Sequence, residues 1–258
     1  MYTSLKLTFE GKIATLTLSR AEKRNAISHQ LIDEFLAALL EVENSAAQVL
    51  ILAAEGKAFC AGMDLEDLHQ LVEQTSEENH RHSQRIATLF RSLYNFPKTT
   101  IAAVNGAAIA GGAGLATLCD FTLASKAASF GYTEVRIGFV PAIVSAFLIR
   151  QVGEKHTRDL LLTGRIISAE EAYRMGLVNE VLEAADLQAR AQRLAAELLE
   201  NSPASLRATK ALLQGYASET LERDIQSGME ANGSIRMSAD FEEGVRSFLE
   251  RRKPKWSE

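Results

Sequence analysis

The sequence predicts an α/β fold that ends in a run of helices, and three observations carry this reading. Val49-Leu50-Ile51-Leu52 and Thr100-Ile101-Ala102-Ala103-Val104 are short apolar runs bounded by polar residues, as expected of strands buried on both faces of a sheet. Around them lie segments with helical spacing, and strand alternating with helix implies right-handed crossovers in an α/β core. From Ser168 onward the pattern is helical, at about residues 168–175, 184–201, 203–214, 218–231 and 238–251, with no further strand expected.

Taken in order, Leu5, Leu7 and Phe9 alternate with polar neighbours, Glu10-Gly11 turns the chain, and Ala14, Leu16 and Leu18 alternate again. That is the pattern of a β-hairpin. After a polar link from Arg20 to Asn25, Leu31, Ile32, Phe35, Leu36, Leu39 and Leu40 share a helical period behind Ser28, a suitable N-cap. The charged stretch from Asp67 to Ser92 has a weak period and predicts a mobile loop followed by a helix, a lid candidate beside a glycine-rich turn. The shift in pattern near residue 200 divides the chain into an α/β core, 1–199, and a C-terminal helical subdomain, 200–258, that caps the core or packs on a neighbouring subunit.

With 258 residues, 47% of them hydrophobic, the chain has enough apolar material for a large core. A formal net charge of −5 and scattered Lys and Arg residues disfavour a nucleic-acid partner; only Arg251-Arg252-Lys253-Pro254-Lys255 is locally basic, a solvated tail or a contact for a phosphorylated ligand. No apolar run of about 18 residues suits a membrane span, the first ten residues do not resemble a signal peptide, and a cytoplasmic protein is expected. Cys60 and Cys119 predict small buried packing residues rather than a disulfide. The five histidines show no zinc-ligand spacing, and His80-Arg81-His82 is expected to face solvent; no metal is expected.

Two small-residue turns carry the chemistry. Ala61-Gly62-Met63-Asp64 follows one apolar run, and Ala110-Gly111-Gly112-Ala113-Gly114 follows another. The second lacks the Gly-Lys-Ser/Thr ending of a phosphate loop, and Thr117 stands where a dinucleotide fingerprint needs its third glycine. Gly-x-Ser-x-Gly is also absent, so no nucleophile elbow supports a serine triad. Paired turns of this kind can instead aim two backbone N–H groups at one carbonyl oxygen and stabilise an enolate, where each such donor is worth about 3–4 kcal/mol of barrier.

These two segments resemble the oxyanion-hole segments of the crotonase (enoyl-CoA hydratase/isomerase) superfamily. Further matches follow in family order: Arg24-Asn25-Ala26, Phe130-Gly131 with Glu134 and Gly138, Leu162-Thr163-Gly164, Ala172 with Gly176-Leu177-Val178, and Gly244 to Lys253. The resemblance implies a spiral of ββα units with a C-terminal helical subdomain, and trimers often paired into hexamers. It implies oxyanion-hole amides from Met63 and Gly111 and a coenzyme A site lined by Arg24 and Ala61 to Glu66, including Asp64 and Leu65. It extends that site to Gly114, Phe248 and Lys253. Coenzyme A enters only as part of the acyl-CoA substrate, and no separate cofactor is implied. The Asp64 backbone and the helix after it would help hold the ligand, and capping that helix is the other role open to its side chain.

The departure from the family lies at the carboxylates. Family hydratases use two, at the positions held here by Gly114 and Glu134, so this chain retains one. A lone carboxylate suits a proton shuttle between C4 and C2 and favours isomerase-type chemistry over addition of water. For Glu134 a salt bridge to Arg136 is the structural alternative. Pro141 to Phe147 also carries bulky apolar residues where the family has small glycines, which predicts a differently shaped acyl pocket. Asp120 reads as structural, satisfying nearby backbone N–H groups. Two other functions stay open: hydration by Glu134 alone or with Glu66 or Asp67 from the lid, and a non-catalytic acyl-CoA-binding or RNA-binding role.

Overall fold

A computed structural model describes residues 2–257. The hairpin is formed by β1 (Leu5–Glu10) and β2 (Ile13–Leu18), with Leu5 opposite Leu18 and Glu10 opposite Ile13. Ala14, Leu16 and Leu18 point into the core, whereas Phe9 on the edge strand stays largely exposed. Helix α1 (His29–Asn44) starts where expected, since Ser28 Oγ accepts the Leu31 N–H at 3.2 Å. Its buried stripe is Leu31, Ile32, Phe35, Ala38, Leu39 and Val42, with Leu40 on the solvent side.

The centre of the chain repeats one pattern. A long strand enters a large sheet, a short strand enters a small one, and helical structure leads back. The long strands are β3 (Val49–Ala54), β5 (Thr99–Val104) and β7 (Phe121–Ser125); the short ones are β4 (Ala58–Cys60), β6 (Ala107–Ile109) and β8 (Ser129–Gly131). The helices are α2 (Leu65–Glu73) and α3 (Ser76–Tyr94), then α4 (Gly111–Thr117), then α5 (Ala142–Thr163), which is broken at Gly153. With β9 (Ile166–Ser168) and β10 (Glu180–Leu182), the large sheet runs β1-β2-β3-β5-β7-β10 and the small one β4-β6-β8-β9. All neighbouring strands are parallel except β1/β2 and β8/β9. This is the spiral of ββα units that the sequence implied.

Both faces of the large sheet are covered, which explains its unbroken apolar runs. Alternate residues Val49, Ile51, Ile101, Ala103 and Leu123 meet Leu187, Ala191 and Ala195 of α7 (Leu187–Leu199). Leu50, Leu52, Ala102, Val104 and Ala124 face the main core. Helices α6 (Ala169–Arg174), α8 (Pro203–Ile235) and α9 (Ala239–Leu249) complete the fold, with α8 laid against α3 and α5.

Four expectations need correction. The expected loop from Asp67 is helical: α2 is capped by Asp64, and α3 begins with a reciprocal capping box between Thr75 and Glu78. The inward face of α3 carries Asn79, His82 and Ser83 beside Ala87 and Phe90, and these buried polar residues blur its hydrophobic period. His82 is therefore inside, only 3% exposed, with Nδ1 3.2 Å from a guanidinium nitrogen of buried Arg236; burial pushes its imidazole down to about 3. Strand β10 lies beyond the point where strands were expected to end, because three residues suffice to pair with the edge of β7. The segments 203–214 and 218–231 form one helix, with Gly215 tolerated inside it where nothing crowds its α-carbon.

Other readings hold. Cys60 and Cys119 are free and buried, and burial pushes both thiols up to about 12. Asp120 Oδ2 accepts the Thr100 N–H at 2.7 Å and pairs with Lys210 Nζ at 2.7 Å. Among the described residues, no helix is long and apolar enough to cross a membrane.

Candidate active site

The two small-residue turns meet backbone to backbone. Gly62 has φ +87°, and a β-carbon there would lie 3.0 Å from the Ile109 carbonyl oxygen and 3.1 Å from Ala110 Cβ. On the other side, a β-carbon on Gly112 would fall 2.2 Å from the Cys60 carbonyl oxygen. Only residues without side chains allow β4 and the start of α4 to approach this closely. Ala110, at φ +51°, is held in its turn by an N–H bond to the Gly131 carbonyl at 2.7 Å, which ties α4 to β8.

A third segment orients the first turn. Ile27 forms a parallel bridge to Met63, donating to the Gly62 carbonyl at 2.7 Å and accepting from the Asp64 N–H at 2.9 Å. Such a bridge uses the groups on either side of Met63 and turns the Met63 N–H to the opposite side. That N–H has no acceptor among the described residues, and neither does the N–H of Gly111 at the first position of α4. Two unpaired amides thus stand on turns that touch each other.

Glu134 opens a 3₁₀ turn (Glu134–Ile137) three residues beyond the Gly131 carbonyl that anchors α4. Its side chain is 9% exposed, forms no ion pair among the described residues, and leaves Oε2 without a partner. The alternative of a salt bridge to Arg136 is absent there. Burial pushes the carboxyl up to about 7, against a lesser opposing effect of its own backbone N–H. Tyr132, fully buried nearby, has its phenol pushed up chiefly by burial and keeps its hydroxyl 3.3 Å from Thr117 Oγ1 of α4.

An apolar roof covers this turn. Leu68 and Leu71 of α2, Phe241 and Val245 of α9, and the Met63, Ile137 and Phe139 side chains form one cluster. Contact is close enough that a β-carbon on Gly138 would sit 2.2 Å from the Asp240 carbonyl oxygen, and one on Gly244 would sit 2.2 Å from that of Ile137. The Gly244 match in the sequence therefore has a structural cause, since it seats α9 on the Glu134 turn.

The remaining expected site residues divide into two groups. Arg24 is exposed, and its carbonyl accepts the Ala61 N–H at 3.0 Å, so it stands at the start of the Ala61–Asp64 turn; Leu65 and Glu66 are exposed beyond that turn. Glu66 pairs with Lys23 at 2.9 Å, a cation that the sequence reading passed over because it lies outside the matching Arg24-Asn25-Ala26 motif. Asp64 is committed to the fold: its amide bonds Ile27, Oδ1 accepts from Glu66 N–H at 3.0 Å, and Oδ2 pairs with Arg20 at 3.1 Å. Of the two roles open to its side chain the structure has the capping one, and the Asp64 N–H is not free to hold a ligand. Phe248, 50% exposed, and Lys253, exposed in the tail, make no side-chain hydrogen bond to the residues around Glu134.

At Gly114 a side chain would be crowded. A β-carbon there would lie 3.0 Å from Val144 Cγ1 and 3.3 Å from the Phe90 ring. Val144 belongs to the stretch whose bulky residues stood out in the sequence, and here the bulk compensates directly for the small residue opposite. Phe90 gave no signal in the sequence, because the period of its stretch is weak.

The structure thus holds a buried carboxyl without an ion-pair partner at Glu134 and two amides without acceptors at Met63 and Gly111. The enoyl-CoA hydratase/isomerase family profile matches residues 8–258, and the chain belongs to this family. A Thermus thermophilus protein provisionally named an enoyl-CoA hydratase is 44% identical over 96% of this chain and 98% of its own. The crotonyl-CoA hydratase of Syntrophomonas wolfei is 34% identical, covering 98% and 97%. Among crystal structures, an enoyl-CoA hydratase/isomerase from Xanthobacter autotrophicus superposes with a TM-score of 0.89 at 27% identity, over 98% of each chain.

Proposed function

We propose that the protein is an enoyl-CoA isomerase in which Met63 and Gly111 hold the thioester carbonyl and Glu134 moves a proton between C4 and C2. Deprotonation next to an enoyl thioester places negative charge on the carbonyl oxygen, where the two amides are worth most in a site shielded from water. The carboxylate form of Glu134 takes the C4 proton and becomes neutral, a form that burial favours. It then returns the proton to C2 and the double bond has shifted. A base with a pKa near the working pH performs both halves of such a transfer efficiently. Exposed Arg24 and Lys23 beside the first turn suit the phosphates of coenzyme A.

The observation that carries this reading is the buried Glu134 carboxyl, which has no ion-pair partner among the described residues, combined with the Val144 and Phe90 wall at Gly114. Hydration is the second reading, favoured by the hydratase names of the relatives. It requires another proton carrier, and the lid acids are engaged elsewhere: Asp67 accepts the His29 N–H at 3.0 Å, and Glu66 pairs with Lys23. The test compares 2-enoyl- and 3-enoyl-CoA substrates on wild type and Glu134→Gln, separating shifted-enoyl from 3-hydroxyacyl products by chromatography. Shifted enoyl as the main product, lost in Glu134→Gln, is expected. Hydration of 2-enoyl-CoA by wild type at about 10 per second or more, an ordinary enzyme rate, would refute the isomerase reading.

A further inference from the structure

We propose that Phe90, with Val144 beside it, limits the length of the acyl chain by closing the site off from a cavity one helical turn away. The inference rests on the placement of the thioester at Met63 and Gly111. Phe90 Cζ lies 3.5 Å from where a β-carbon on Gly111 would stand, and the ring is 3.3 Å from the same point on Gly114. Val144 Cγ1 closes the other side of Gly114 at 3.0 Å. Both side chains are buried, so together they form a solid wall next to the second oxyanion turn.

Behind that wall there is space. One turn further along α3 and α5 stand Tyr94 and Phe147, whose ring centroids are 5.2 Å apart. Both line a cavity of about 280 Å³ whose far side is Leu221 and Ile225 of α8. Its rim is polar: Arg91 pairs with Glu222, Gln214 donates to the Tyr94 carbonyl, and Asn95 and Ser218 complete it, so a ligand tail would rest on the apolar side formed by Tyr94, Phe147, Leu221 and Ile225. Four residues of helix separate Phe90 from Tyr94, which is about 6 Å at 1.5 Å per residue. At about 280 Å³ the cavity has room for the last several carbons of an acyl chain, and the Phe90 ring is the barrier between it and the thioester site.

Each methylene buried from water changes a binding constant about fourfold. Removing the barrier is therefore expected to raise the affinity for octanoyl-CoA relative to butyryl-CoA by roughly tenfold or more. Binding of the saturated butyryl-, hexanoyl-, octanoyl- and decanoyl-CoA esters to wild type, Phe90→Ala and Phe90→Leu is measured by titration calorimetry, which requires no turnover. Wild type is expected to lose affinity as the chain grows beyond the wall. Phe90→Ala is expected to reverse that trend and Phe90→Leu to weaken it, and Phe90→Leu decides the matter if the alanine variant does not fold. Parallel chain-length profiles in wild type and variants would overturn the proposal while leaving the thioester site intact. If wild type binds none of the four esters, the placement of the thioester falls, and this inference falls with it.

Discussion

Glu134→Gln offers a test that separates the electrostatics of the site from its chemistry. The Glu134 carboxyl is buried and unpaired, and its protonation is favoured up to about pH 7 instead of the ordinary 4.5. At about 1.4 kcal/mol per pH unit, keeping it charged in the folded protein costs about 3 kcal/mol at high pH. The sign follows from linkage: between these two values the native state binds more protons than the unfolded chain, so stability falls as pH rises. Most of that cost, on the order of 2–3 kcal/mol, develops between pH 5 and pH 8. Glutamine cannot ionise, so the variant is free of this dependence, although a buried amide brings its own pH-independent cost of about 1–3 kcal/mol. Urea denaturation of both proteins at pH 5 and pH 8 reads the difference. Wild type should lose on the order of 2–3 kcal/mol more than the variant across that range, or roughly 5–10 °C in melting temperature for a chain of this size. Wild-type kcat/KM should rise with pH through about 7, as the base deprotonates. Parallel loss of stability in the two proteins would show that Glu134 is solvated and would remove the physical basis of its assignment as the base.

Three further outcomes follow from the same geometry. Gly111→Val should lower turnover by at least about 10²-fold in a folded protein, because the new side chain meets Ile27 Cδ1 near 3.1 Å and crowds the second oxyanion turn; full activity by the same enoyl-CoA assay would place the hole elsewhere. Gly114→Glu alone should destabilise without gaining hydration, since Val144 and Phe90 occupy the space, whereas Gly114→Glu with Val144→Gly should raise the ratio of 3-hydroxyacyl to shifted-enoyl product; an unchanged ratio in a folded double variant would refute the reading. Exposed Leu212, Leu213 and Tyr216 on one stretch of α8 favour association into trimers or hexamers, whereas Leu221, which also belongs to the apolar stock of this helix, is already buried within the chain; a monomeric mass in sedimentation at micromolar concentration would oppose assembly.

The elements legible in the sequence are those whose pattern is local. The hairpin, α1 with its Ser28 cap, β3 and β5 each carry their own period and boundary residues, and the structure places them accordingly. The misread segments depend on partners far along the chain. His82 and Asn79 are interior because Arg236, more than 150 residues away, donates to Asn79 and meets the His82 ring. At the site, Met63, Gly111 and Glu134 were reached through their motifs. Their meeting depends on Gly62, Gly112 and the Ile27 bridge, contacts that only the spiral creates. Val144 was visible as a bulky residue in an unusual place, but its effect on Gly114 required the two to be seen face to face.

The seating of α9 on the Glu134 turn has a consequence for the life history of the molecule. The proposed base and both proposed oxyanion amides come from the first 134 residues, but the apolar roof over the Glu134 turn includes residues of 239–249, near the end of the chain. During synthesis the earlier part can form its sheets while the final helix has yet to emerge. Until Gly244 docks against Ile137 the Glu134 turn lacks the α9 part of its cover, and greater solvation would move the carboxyl back toward ordinary acidity. On the proposed function, reactivity would then be the last property the nascent protein acquires, since a chain that stops short of residue 239 lacks the helix that completes the cover over Glu134.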